Sequence, residues 1–143
     1  MKKKLLSLLL LFTAVASIAQ VTITPSSFNV TDQITITVST AAQACNLMGT
    51  TPTKVYMHAG IGDDSNTFGF SVVGNWGQDD SVGLMTNNGN GTWSITFTPS
   101  TYFGLNGTQQ ANATKLGMVF RNANGSQTLK LPPSCGDFIF NVG

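Results

Sequence analysis

Glutamate is absent from all 143 residues, and only 9% of the chain is charged. Leucine and lysine are sparse and scattered beyond the first eighteen positions. Long solvent-exposed helices draw on these residues, so a helical architecture is disfavoured. No basic stripe is present, which excludes the electrostatic footprint of a nucleic-acid binder. The single histidine and two cysteines supply no cysteine–histidine metal spacing. There is no phosphate-cradling glycine loop, no nucleophile–histidine–aspartate order and no internal repeat. Past the first residues, no apolar run is long enough to span a bilayer.

What is present begins with a leader. Met1-Lys2-Lys3-Lys4 is a basic stretch, Leu5 to Ile18 is mostly apolar, and Ser17-Ile18-Ala19 places small residues where a signal peptidase reads. Residues 1–19 therefore read as a secretory signal peptide and 20–143 as one domain, secreted or held at the cell surface. The expected mature chain has four basic side chains (Lys54, Lys115, Arg121, Lys130) against six aspartates, a net charge of −2. In an oxidising compartment Cys45 and Cys135 are expected to form a disulfide; two separate buried thiols are the other reading.

The domain is rich in Thr, Ser, Asn, Gly, Val and Ile. Ile34, Ile36 and Val38 alternate with threonines, as do Trp93, Ile95 and Phe97. Leu116, Met118 and Phe120 share one parity, and so do Phe138, Phe140 and Val142. Such alternation marks strands with one buried and one wet face. Asn87-Asn88-Gly89-Asn90-Gly91 is the strongest turn signal, and 101–114 reads as a connection. The pattern predicts an all-β fold, an immunoglobulin-like β-sandwich of about eight strands at roughly ten-residue spacing.

Val55-Tyr56-Met57-His58-Ala59-Gly60 carries the histidine and one of two tyrosines on one strand face. Trp76 follows in a polar loop, whereas Trp93 has core parity. Aromatic faces stack on the apolar side of a pyranose, and an imidazole bonds its hydroxyls. The bland alternative is an outer strand face with no ligand. Asp63-Asp64 and Asp79-Asp80 are either turn residues or ligands for Ca²⁺. Paired carboxylates of a glycosidase are a third reading, which requires a deep cleft.

Five segments resemble the bacterial starch-binding carbohydrate-binding modules of families 25 and 26, and related secreted amylolytic or outer-membrane starch-binding modules. They are Val55 to Gly60, Val72-Val73-Gly74-Asn75-Trp76-Gly77, Gly89 to Phe97, Val119 to Gly125 and Gly136 to Val142. The resemblance implies a non-catalytic module that binds an α-glucan and works beside a secreted glycoside hydrolase. By position it implies a platform of Tyr56, His58 and Trp76, assisted by Phe68 or Phe70, with Asn75 and Gln78 as hydrogen-bonding partners. A second family aromatic, after Val119-Phe120, has no counterpart here. The competing expectation is a structural spacer or surface-assembly domain with no small ligand.

Overall fold

The structure, a computed structural model, describes residues 16–18 and 20–143. Two antiparallel sheets pack face to face into an all-β sandwich. The first contains β1 (Ala16–Ile18), β2 (Val21–Thr24), β3 (Ile34–Ser39), β7 (Thr92–Phe97) and β6 (Thr86–Asn87), in that spatial order. The second contains β10 (Phe138–Asn141), β8 (Lys115–Arg121), β4 (Tyr56–Gly62) and β5 (Ser71–Val73), with β9 (Thr128–Leu129) also on β8. β1 lies within the segment read as a signal peptide; the remainder of that segment falls outside the described residues.

Alternation sets the packing. In the first sheet Ile34, Ile36 and Val38 lie opposite Phe97, Ile95 and Trp93 and point into the core. Their threonine neighbours face out, where Thr35 and Thr37 form side-chain hydrogen bonds to Thr96 (2.8 Å) and Ser94 (2.9 Å). The second sheet contributes Met57, Ala59, Ile61, Leu116, Met118, Phe120 and Phe138, all with no solvent exposure. Each fully buried aliphatic side chain contributes about 1.5–3 kcal/mol, so this interior layer dominates the folding free energy.

Short turns and helices set the connections. β5 is confined to Ser71–Val73, because residues 66–69 turn: Asn66 accepts from the Phe68 and Gly69 amides. The expected 101–114 connection contains two short helices, α1 (Pro99–Tyr102) and α2 (Gly107–Asn112). α2 starts on a reciprocal capping box, Asn106 with Gln109, whose Asn-x-x-Gln spacing was visible in the sequence. The 82–86 segment meets β4 in a single bridge, Leu84 opposite Tyr56, in which the Met57 amide donates to the Gly83 carbonyl, before joining β6. The hairpin between β6 and β7 turns through Gly89 and Gly91 at φ +83° and +79°, a region that Asn-Gly sequences favour.

Cys45 and Cys135 are bridged, with Cα atoms 5.4 Å apart and 90 positions between them. Closing a loop of this length removes unfolded-state entropy worth at most ~4–5 kcal/mol. Cys45→Ala/Cys135→Ala is expected to lower the urea midpoint by an amount equivalent to about 2–4 kcal/mol while leaving the far-ultraviolet circular dichroism native-like. An unchanged midpoint would show that the bridge does not constrain the unfolded chain.

Candidate functional site

The outer face of the β10-β8-β4-β5 sheet holds three rows of side chains, set by strand register. In the first row Tyr56 of β4 lies opposite Arg121 of β8; in the second His58 lies opposite Val119. The third runs Ile139, Gly117, Gly60 and Val72 across all four strands. Two glycines flanked by exposed Ile139 and Val72 leave a bare valley across the middle of the sheet. Phe68 lies in it. A Cβ on Gly60 would overlap the Phe68 ring, and one on Gly117 would come within 2.8 Å of its Cζ. His58, Phe68, Val72, Val119 and Asp137 line an open trough of about 230 Å³ on this face.

The Tyr56–Arg121 row is covered by residues 74–81. Arg121 is 1% exposed, and its guanidinium carbon stands 4.4 Å from the Tyr56 ring centroid. One terminal nitrogen donates to the carbonyls of Asn75 and Gln78, both at 2.9 Å; the other donates to those of Asn122 and Ala123, both at 3.0 Å. The cation therefore fastens the covering loop to the turn after β8. Tyr56 completes the closure: its hydroxyl donates to Asp79 and accepts from the Ser81 amide at 3.3 Å. Asp79 also pairs with Lys54 at 2.8 Å.

Trp76 stands on the surface of this loop, 46% exposed. The indole meets His58 edge-on, with ring centroids 5.3 Å apart and planes at 79°. Its Nε1 abuts Gly125, where a Cβ would approach to 2.8 Å. Gly74, at φ +148°, passes so close to His58 Nδ1 that a Cβ there would overlap the ring. His58 thus touches Trp76 on one side and lines the trough on the other.

The expected platform is only partly assembled. His58, Phe68 and Trp76 come together on the outer face. Tyr56 does not belong to that surface: it is 1% exposed beneath Arg121 and the loop, and its ring face is taken by the cation. Phe70 packs against the hydrophobic core rather than beside Trp76. Asn75 and Gln78 serve Arg121 through main-chain carbonyls, and the Asn75 side chain is held by Asp80 at 2.7 Å. Trp93 is buried, in keeping with its parity.

The residue that sequence reasoning passed over is Arg121. It is the only arginine in the chain, and its parity opposite the Leu116-Met118-Phe120 face was readable. Its position across from Tyr56 was not.

The two aspartate pairs do not converge. Asp63 closes a turn onto Ser65 and Asn66, while Asp64 accepts from Thr114 at 2.8 Å. Asp80 accepts from Asn75 and the Val82 amide. No three His, Cys, Asp or Glu side chains are grouped to hold a metal ion among the described residues. These carboxylates are engaged in turns, side-chain hydrogen bonds and ion pairing, as the turn reading of the sequence has them. No described helix is long and apolar enough to cross a membrane.

Residues 21–129 match a family described as a domain of unknown function, DUF8578. No curated protein matches the chain.

Two outcomes follow from this geometry. Arg121→Lys keeps the charge but loses the planar fork, and is expected to cost about 2 kcal/mol, with red-shifted Trp76 emission as the loop lifts. Wild-type stability and emission would show that the carbonyl grip is not what holds the loop. Burial, and then the Arg121 charge, hold the His58 imidazole below its usual 6.5. Protons then bind the unfolded chain more readily, so His58 penalises the fold as pH drops below the unfolded value. Asp63, Asp79 and Asp80 are held low by Ser65, Lys54 and Asn75 respectively, and lose their contribution only in stronger acid. The melting temperature should fall between about pH 7 and pH 5, less steeply in His58→Asn. Parallel slopes would remove His58 as the cause.

Proposed function

We propose that this chain, which belongs to the DUF8578 family, is a non-catalytic glycan-binding domain that takes an α-glucan on the outer face of its second sheet. One observation carries the reading: a half-exposed indole, Trp76, adjoins an apolar trough through His58, outside the core. A sugar ring presents an apolar face and a polar edge, and this surface offers aromatic and aliphatic walls with an imidazole and a carboxylate at its margin. The platform differs from the one first expected: Trp76, His58 and Phe68 form it, and Tyr56 supports it from below.

The trough is open and smaller than the ~300–1,000 Å³ of enclosed ligand pockets. Binding of one site is accordingly weak, on the order of 10–1,000 μM. The reading includes export of the protein and work at a polysaccharide surface beside a secreted glycoside hydrolase. A structural reading, in which the domain is a spacer or assembly module, draws on the burial of Tyr56 and on the exposed Val72 and Ile139.

Affinity electrophoresis on amylose and soluble starch, with cellulose and chitin alongside, separates the two. Retardation on the α-glucans, reduced at least ~10-fold in Kd by Trp76→Ala and little changed by Thr96→Ala on the opposite sheet, is expected. Free mobility on every polymer would leave the structural reading standing.

A further inference from the structure

Five of the six aspartates are occupied by bonding within the fold. Asp32 accepts from the Asn29 amide at 2.7 Å, Asp63 closes its own turn, and Asp64 takes the Thr114 hydroxyl. Asp79 and Asp80 hold the loop over Tyr56. Asp137 is exposed and makes no hydrogen bond or ion pair among the described residues. It is also the aspartate that lines the trough, beside His58, Phe68, Val72 and Val119.

No lysine or arginine lines the trough. Lys54 is paired with Asp79, Lys115 with Asn141 and Asp64, the Arg121 guanidinium is spent on four carbonyls under the loop, and Lys130 forms no ion pair with Asp137 among the described residues. The trough therefore carries one carboxylate without an ion-pair partner against apolar walls.

We infer that Asp137 is the specificity-determining polar group of this site, and that the site takes a neutral, hydroxyl-bearing sugar ring and rejects an acidic one. This rests on the glycan reading above. An ionised carboxylate only accepts hydrogen bonds, with roughly four lone-pair positions, so its partner must bring donors. Adjacent ring hydroxyls bring two in a geometry that a carboxylate can chelate. A uronic acid or sulfate ester would set a like charge beside Asp137 in a trough lined by no lysine or arginine. A trough of about 230 Å³ accommodates a single ring, so the selection acts on one residue of the polymer.

The test compares maltoheptaose with its C6-carboxylated counterpart by isothermal titration calorimetry at one ionic strength. Wild-type protein is expected to bind the neutral oligosaccharide at least ~10-fold more tightly. Asp137→Asn should bring the two affinities within about 3-fold, and Asp32→Asn, which removes the same charge before β3, should preserve the discrimination. Equal affinity of the wild type for both sugars overturns the role of Asp137 while leaving the glycan reading in place. So does discrimination that survives Asp137→Asn or disappears equally in Asp32→Asn. Failure of the wild type to bind either sugar takes down the glycan reading and this inference together.

Discussion

The Arg121 guanidinium, among the largest fully buried side chains, is the contact on which the outer face depends. Moving a cation out of water costs several kcal/mol even after relaxation. Here the loss is offset by four charge-assisted hydrogen bonds and by the face of Tyr56. What the contact adds is geometric specificity. Only a planar fork with donors on two sides reaches carbonyls of both the 74–81 loop and the turn after β8. The loop positions Trp76, and the turn supplies the Gly125 edge against which the indole rests. The surface candidate is thus held in place by a buried charge, whose guanidinium carbon stands 5.8 Å from the Trp76 ring centroid.

Beside this anchor, the trough owes its shape to missing side chains. Gly60 and Gly117 face one another across β4 and β8, so the pleat presents backbone where neighbouring rows present His58, Val119, Tyr56 and Arg121. Phe68 fills the resulting bed from a turn outside the sheet. Aromatic area is therefore brought to the site by tertiary packing rather than by strand alternation. This is why Phe68 belongs to the surface although it lies outside β5.

The legibility of the chain follows the same division. Period-two alternation in β3, β7, β8 and β10 was sufficient for the sandwich and its core, because one-sided burial writes itself directly into local sequence. The Asn-Gly hairpin and the pairing of Cys45 with Cys135 were legible for comparable local and compartmental reasons. Tyr56 was misplaced because parity reports only that a side chain leaves the core. It cannot report that a distant loop will cover the other face. Phe70 failed on register, since a bend at residues 66–69 shifted which aromatic faces outward. The helices at 99–112 were missed where a capping box lay in plain view, obscured by glycines and the absence of an amphipathic run. Asp137 needed the fold, because an aspartate without partners looks like any other until the other five are accounted for.

The Cys45–Cys135 bridge decides where a pulling force on the domain would go. β4, β5, β7 and β8, the 74–81 loop and the trough residues His58, Phe68, Val72 and Val119 all lie between the two cysteines. Force applied between the ends of the domain passes through the sulfur bridge and bypasses them. Only the segments outside the bridge, β1 to β3 on one side and β10 on the other, are free to pay out. The covalent link divides the domain into an extensible part that lengthens under load, with Asp137 at its inner end, and a mechanically shielded part that carries His58, Phe68, Trp76, Val72 and Val119.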